Sequence, residues 1–149
     1  SNGVAVLIRR LVMGLSLLLT HSNAANLLVD YCPPKIMKVR LTAYWVGQDE
    51  WTSSLKSSTG RRLVSGVSCA VDPDVIPYGS QVTIKKTGRT FLAVDTGTAV
   101  INRKSEWWKP KRMRKPVVDL FFKTEKEAQR FLDDAGRYVE IEIRNKETK

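Results

Sequence analysis

Three aspartates stand in apolar settings that set them apart from the other acids of the chain. Asp72 and Asp95 each end a short apolar run, and Asp119 lies inside another, between a valine and a leucine. A carboxylate buried without a partner is costly, so each implies either a turn cap or a chemical task. If the three converge, repulsion and desolvation raise one pKa and keep that carboxyl protonated near neutral pH. They are the candidate acid–base groups.

Asp95 begins an Asp-Thr-Gly sequence, which is also how the active-site loop of an aspartic protease is written. Such a protease needs two of these loops, and this chain contains one. It would therefore have to dimerise, and it shows no glycine-rich flap. A dimeric aspartic protease remains a remote alternative.

The N-terminus has the features of a secretory signal. Arg9 and Arg10 precede an apolar run over residues 11–19, and small residues follow at 22–24. The run is too short for a membrane span, which needs about 20 apolar residues. We predict a signal peptide over residues 1–24 and a secreted, periplasmic or cell-envelope product with no stable membrane span.

Residue types exclude several kinds of site. The single histidine, His21, lies within the predicted signal, so Ser-His-Asp, Cys-His and histidine–zinc chemistry are excluded. Acid–base work then falls to carboxylates, lysine or tyrosine, and we expect no metal and no other cofactor. Cys32 and Cys69 favour a disulfide in an exported chain, or buried thiols where no oxidant is present.

The chain is strongly basic. Loss of residues 1–24 removes two arginines and no acid, which lowers the net charge from +10 to +8. An anionic partner is expected, and export favours a cell wall over a nucleic acid. Basic residues are densest in the segment 103–115, which is either a solvated loop or a contact for a polyanion.

The elements that must position these residues are mostly strands. Alternation and short apolar runs predict six strands, and Thr124 with Glu127 predicts the N-terminus of one helix that ends before Gly136. This pattern is typical of a small, mainly β, closed barrel in a single domain. The predicted segments are a lead-in over 25–35, the barrel domain over 36–145 and a tail over 146–149.

Four motifs resemble one family. In chain order they are T-A-Y-W (42–45), A-V-D-P-D-V-I-P-Y-G-S (70–80), A-V-D-T-G-T-A-V (93–100) and V-D-L-F-F (118–122). Together they resemble the 3D domain, named for three aspartates and similar to the catalytic part of the membrane-bound lytic transglycosylase A family and of muralytic stationary-phase and resuscitation-type factors. The resemblance implies a six-stranded double-psi β barrel whose aspartates meet in a sugar-binding groove.

The resemblance implies a lytic transglycosylase that acts on peptidoglycan glycan strands.

Such an enzyme is expected to cleave the β-1,4 bond between N-acetylmuramic acid and N-acetylglucosamine and to leave a 1,6-anhydromuramoyl end. We expect it to act as a monomer. The sugar's own 6-hydroxyl is the nucleophile, so one carboxyl group can serve as acid and then as base. We expect this group to be Asp119 or Asp95, with preference for Asp119 because its strand is more apolar, and we expect Asp72 and the remaining aspartate to orient it and tune its pKa.

The resemblance also predicts binding residues. Thr42 and Tyr44 are expected to line the groove, and Thr96 with Gly97 to set the backbone of its loop. Aromatic rings can stack on sugar faces, and the candidates for this are Trp45, Trp51, Tyr78, Trp107 and Trp108.

The chain departs from the family pattern after Asp95. Thr98 replaces a second glycine, a Lys-Gly pair is missing, and Asp119 follows Asp95 by 24 positions rather than about a dozen. The extra residues form the basic segment 103–115. A non-catalytic polysaccharide binder similar to expansins is the main alternative, because expansins share the barrel and an aspartate, and a basic surface with tryptophans suits binding without cleavage.

Overall fold

Six strands close into a barrel in the computed structural model, which describes residues 33–101 and 108–145. Around the barrel the strands follow the order β1-β5-β2-β4-β3-β6. The elements are β1 (Lys35–Trp45), α1 (Glu50–Ser53), β2 (Ser68–Ala70), β3 (Gln81–Ile84), β4 (Thr90–Asp95), β5 (Val117–Phe122), α2 (Glu125–Ala135) and β6 (Tyr138–Arg144).

The strand pairs are of both kinds. β1 pairs in parallel with β5, and β2 pairs in parallel with β4, whereas the other four pairs are antiparallel. The predicted mainly β, closed six-stranded barrel is confirmed. Its mixture of parallel and antiparallel pairs is consistent with the double-psi arrangement that the resemblance implies.

The structure differs from the prediction in having a second helix. The polar segment 47–60, expected to be a loop, contains the single turn α1. Its cap is reciprocal, because the Asp49 side chain accepts from the Thr52 amide at 2.8 Å and the Thr52 hydroxyl accepts from the Asp49 amide at 3.2 Å. This cap uses threonine where the usual pattern has Glu or Gln, and so the sequence pattern did not reveal it.

Helix α2 begins and ends where the sequence predicts. The Thr124 hydroxyl accepts a hydrogen bond from the Glu127 amide at 3.2 Å. At the other end Gly136 has a φ of +92°, which a residue with a side chain rarely adopts. The Gly136 amide donates to the Leu132 carbonyl and satisfies one of the last carbonyls of the helix.

Strand β1 changes partner along its length. Residues Lys35–Arg40 pair with β6, and residues Arg40–Trp45 pair with β5. Arg40 lies at the change, with its amide donating to the Pro116 carbonyl at 2.8 Å. The outward side chains of β1 therefore form one continuous row that lies beside β6 in its first half and beside β5 in its second half.

Side chains alternate between two apolar clusters. Val39, Leu41, Val118 and Leu120 belong to the main core and are at most 2% exposed. The intervening positions face the other way, where a second cluster gathers around Phe121. The other buried members of that cluster are Tyr44, Leu63, Ala70 and Val94.

Several predicted segments lie outside the described residues. The signal over 1–24, nearly all of the lead-in and the tail over 146–149 are among them, so these boundaries stay predictions. The chain divides into the units Ser1–Pro33 and Pro34–Lys149, and the elements above all belong to the second. Within the described ranges, no helix has the length and apolarity needed to cross a membrane.

The cap of α2 supports a first prediction. Thr124→Ala should lower the free energy of unfolding by about 1 kcal/mol, because the Glu127 amide loses its acceptor. Thr124→Ser retains a hydroxyl and should stay close to the wild type. Chemical denaturation of the three proteins measures the difference, and equal stability of the alanine and serine variants would contradict the assigned cap.

Candidate active site

The strand register places two of the three aspartates at one level of the barrel. Thr42 on β1 pairs with Asp119 on β5, which pairs with Ala70 on β2, which in turn pairs with Asp95 on β4. Neighbouring strands lie about 4.8 Å apart, so the two aspartate backbones are separated by roughly 10 Å. In this register Ala70, whose side chain is a single methyl group, is the residue between the two aspartates.

A β-bulge determines which way Asp95 points. Along β4, Phe91 and Ala93 belong to the main core, so strict alternation would direct Asp95 into that core as well. The pairing of β2 with β4 shifts by one residue between Cys69 and Ala70, which brings Ala70 opposite Asp95. Such a shift turns the following side chain to the other face of the sheet. Asp95 therefore shares the outer face with Asp119.

Both carboxylates line one cavity of about 590 Å³, which we call the aspartate cavity. Its floor is formed by Thr42, Ala70 and Asp119, and the segment 95–100 forms one wall. The α1 region, including Trp51, also lines the cavity. The small side chain of Ala70 leaves room for a ligand between the two acids.

Asp119 is the carboxyl whose ionisation is disfavoured. Burial raises its pKa to about 6, and the negative charge of Asp95 adds to this effect. A hydrogen bond of 2.6 Å from the Thr42 hydroxyl and the nearby charge of Arg40 act in the opposite direction but do not outweigh burial. Asp119 thus exchanges a proton close to neutral pH, as a general acid–base group must.

Asp95 has a different environment. Its Oδ1 accepts from the backbone amides of Ser58 and Thr96 at 2.8 and 2.9 Å, and its Oδ2 accepts from the Tyr44 hydroxyl at 2.9 Å. Three donors suit an ionised carboxylate, which is an acceptor only. Burial, followed by the charge and hydrogen bond of Asp95, raises the pKa of Tyr44, which keeps this hydroxyl a donor.

Asp72 does not line the aspartate cavity. Its carboxylate instead accepts a hydrogen bond of 3.0 Å from the Asp74 amide, and its carbonyl accepts from the amides of Val75 and Ile76. These contacts fix the turn that follows β2. The structure thus brings together Asp95 and Asp119, and it gives Asp72 the turn-capping contacts that were the alternative for each of the three.

The predicted binding residues divide into two groups. Thr42, Tyr44, Thr96 and Gly97 line the cavity. Tyr78 and Trp108 are exposed but do not line it, and Trp107 lies outside the described residues.

Two further tryptophans were candidates for stacking on a sugar. Trp51 is 83% exposed and lines the cavity, so its ring is accessible to a ligand. Trp45 is partly buried and packs against the main core. Trp51 is therefore the one tryptophan of the described residues that meets both requirements of a stacking platform, exposure and a place in the cavity.

Sequence reasoning missed two site residues. Arg40 lines the cavity and lies two positions before Thr42, so the alternation of β1 already placed it on the same face. Ser58 supplies an amide to Asp95 and accepts from the Thr96 amide through its hydroxyl at 3.1 Å. No local pattern indicates the role of Ser58, because it is separated from Asp95 by 37 positions in the sequence.

Cys69 lies in the main core and is fully buried. Burial, with smaller contributions from the charges of Asp119 and Asp95, raises the pKa of its thiol. Its predicted disulfide partner Cys32 lies outside the described residues, so the pairing stays a prediction. The described residues also contain no group of three or more His, Cys, Asp or Glu side chains placed to hold a metal ion.

Comparison with known proteins adds one family. Residues 67–108 match the model of the 3D domain, a segment that includes Asp72 and Asp95. The 3D domain expected from the sequence is thereby confirmed. A search of curated proteins found no match.

One solved structure with detectable similarity is a lytic transglycosylase, LtgG, of Burkholderia pseudomallei. The sequence identity is 26%, the match covers 58% of this chain and 24% of that one, and the TM-score is 0.33. The match therefore spans about a quarter of the length of that protein.

The raised pKa of Asp119 has a measurable effect on stability. A carboxyl whose pKa rises on folding stabilises the fold fully below its ordinary pKa, and this contribution is lost as the pH rises through about 6. Asp119→Asn, which keeps an acceptor for Thr42, should therefore exceed the wild type in unfolding free energy at pH 8 by up to about 3 kcal/mol.

Denaturation at pH 4 and pH 8 provides the measurement. The advantage of Asp119→Asn should shrink towards pH 4, where the wild-type carboxyl is protonated. Asp74→Asn removes an exposed carboxylate and serves as the control. An advantage of Asp119→Asn that is the same at both pH values would contradict the raised pKa.

Proposed function

We propose that this protein is a peptidoglycan lytic transglycosylase that cleaves the bond between N-acetylmuramic acid and N-acetylglucosamine without a metal or other cofactor. The observation that carries the proposal is Asp119, a carboxyl with a pKa of about 6 at the floor of an open cavity. The 3D domain over residues 67–108 supports the same class of activity, through the family that its motifs resemble.

The proposed reaction uses one carboxyl twice. Protonated Asp119 donates its proton to the glycosidic oxygen, and the electrons of the broken bond remain on that oxygen. The muramoyl C1 develops positive charge. The ionised Asp119 then takes the proton of the 6-hydroxyl, whose oxygen bonds to C1 and closes the 1,6-anhydro ring. The proton count balances, and no water is consumed.

Asp95 is proposed to act by its charge. Its carboxylate faces the same cavity and is held by three donors, so it stays in place while positive charge develops on the sugar ring. The same negative charge helps to keep Asp119 protonated before the reaction. Asp95 thus stabilises the transition state electrostatically while Asp119 moves the proton.

Two groups suit the recognition of a sugar. The ring of Trp51 offers flat apolar area at the wall of the cavity. The Thr96 hydroxyl is buried at the cavity and has no hydrogen-bond partner in the described part of the chain, which is unfavourable unless a ligand supplies one. We assign Thr96 to binding a sugar hydroxyl. We further propose that the enzyme acts as a monomer in the cell envelope.

Digestion of purified peptidoglycan, analysed by mass spectrometry, tests the proposal. Anhydromuropeptides are the expected products, whereas reducing ends would indicate a hydrolase. Absence of any product would favour the expansin-like binder, for which the exposed Trp51 is also suited. Asp95→Asn and Asp119→Asn should each abolish the products while the fold is retained, and full activity of either variant would overturn the assignment of its aspartate.

The pH dependence of the reaction tests the role of Asp119 further. Since the free enzyme must carry a proton on Asp119, kcat/KM should fall as the pH rises above about 6, by about tenfold per pH unit. Thr42→Val removes a hydrogen bond that lowers this pKa, so the fall should begin at a higher pH. Thr42→Ser keeps the hydroxyl and should retain the wild-type profile. A shift to lower pH, or none, in Thr42→Val would be incompatible with Asp119 as the acid.

A further inference from the structure

A second groove, which we call the basic groove, lies on β1 and β6 beside residues 108–115 of the basic segment. Its volume is about 410 Å³. Lys38 of β1 and Tyr138 of β6 form one side, and Lys109, Met113 and Lys115 form the other. This groove is where the residues that depart from the family pattern meet the barrel.

The charge of the basic groove is predominantly positive. Three lysines line it, against one acid, Glu140. The Glu140 carboxylate already forms an ion pair of 3.4 Å with Lys85, which directly follows β3. The segment 103–115 itself contains seven basic residues and one acid. The groove therefore attracts an anion.

Residues 108–115 of the basic segment are held by contacts with β6 and by contacts with one another. The Lys109 ammonium lies 4.8 Å from the centre of the Tyr138 ring and donates to its hydroxyl at 3.0 Å. Arg114 Nε donates to the Lys109 carbonyl at 3.0 Å, across a short 3-10 turn at Lys111–Met113. These contacts shape the groove before any ligand binds, which reduces the entropy lost on binding.

The basic groove continues the aspartate cavity. Lys38, Arg40 and Thr42 alternate onto the same face of β1, with Lys38 in the basic groove and the other two in the cavity. Arg40 also pairs in register with Tyr138, which lines the basic groove. At about 3.3 Å per residue, Lys38 lies roughly 13 Å from Thr42.

We propose that the basic groove binds carboxylate groups on substituents of the same glycan strand that is cleaved at the aspartate cavity. A single glycan strand is favoured over two separate ligands, because the basic groove and the aspartate cavity lie along the same face of β1. Lysine ammoniums suit carboxylates that approach in varied geometry, since each is a point charge rather than a planar fork. This inference rests on the proposed function for the identity of the strand.

Binding by an inactive protein separates this inference from the cleavage reaction. In the full chain carrying Asp119→Asn, we compare Lys38→Gln with Lys115→Gln as a double variant against a control double variant, Lys123→Gln with Lys126→Gln. The control removes the same charge from residues that do not line the groove. The probes are soluble peptidoglycan strands with free carboxylates and the same strands after conversion of the carboxylates to amides.

The groove variant should bind the native strands about fivefold more weakly, whereas the control variant should stay within about twofold. Toward the amidated strands, the groove variant and its parent should bind equally. Equal binding of native strands by the groove and control variants would overturn the inference. An equal loss of affinity for amidated strands would also overturn it. So would a loss of affinity that appears only when inorganic polyphosphate is the ligand.

The same measurements distinguish the two proposals. If the wild type yields no anhydromuropeptides while the lysine-dependent preference for free carboxylates is found, the proposed reaction is wrong and the groove is upheld. If the anhydromuropeptides form and that preference is absent, the reaction is upheld and the groove inference fails.

Discussion

The one-residue bulge in the pairing of β2 with β4 is the constraint on which the site depends. Without it, Asp95 would follow Phe91 and Ala93 into the main core, where a carboxylate finds few partners. With it, Asp95 turns outward, and the chain after β4 runs along the cavity wall. The loop that contains Ser58 can then supply its amide, and Tyr44 its hydroxyl.

The two outward carboxylates differ because their neighbours differ. Asp95 accepts from three donors, whereas the one side-chain hydrogen bond described for Asp119 comes from Thr42. Burial raises the pKa of Asp119, which shares its face of the sheet with Tyr44, Ala70 and Phe121 of the second apolar cluster. Ala70 lies between the two acids in the register, and the charge of Asp95 is still close enough to raise the pKa of Asp119. Environment, rather than residue type, thus distinguishes the carboxyl with a raised pKa from the one held by three donors.

Sequence patterns predicted the strands and both cavity aspartates because these features are local. Alternation located β1 and β6, short apolar runs located β5, and the Thr124 cap located α2. The contact of Ser58 with Asp95 depends on how distant segments pack, and no local spacing encodes it. The bulge likewise exists only when β2 and β4 pair. The contacts of Asp72 are local, because they come from the amides of Asp74, Val75 and Ile76. The pattern around Asp72 matched that around Asp95, although one carboxylate caps a turn and the other lines the cavity.

Strand β1 carries the outward residues of both grooves on one continuous, hydrogen-bonded backbone. Its pairing with β6 on one half and β5 on the other prevents either half from sliding along the barrel independently. The offset between Lys38 and Thr42 is therefore a fixed length, counted in residues. If a glycan strand is bound in the basic groove and cleaved at the aspartate cavity, as proposed, its bonds meet Asp119 in a set register. The spacing of charged substituents along that strand would then decide which bond is cut.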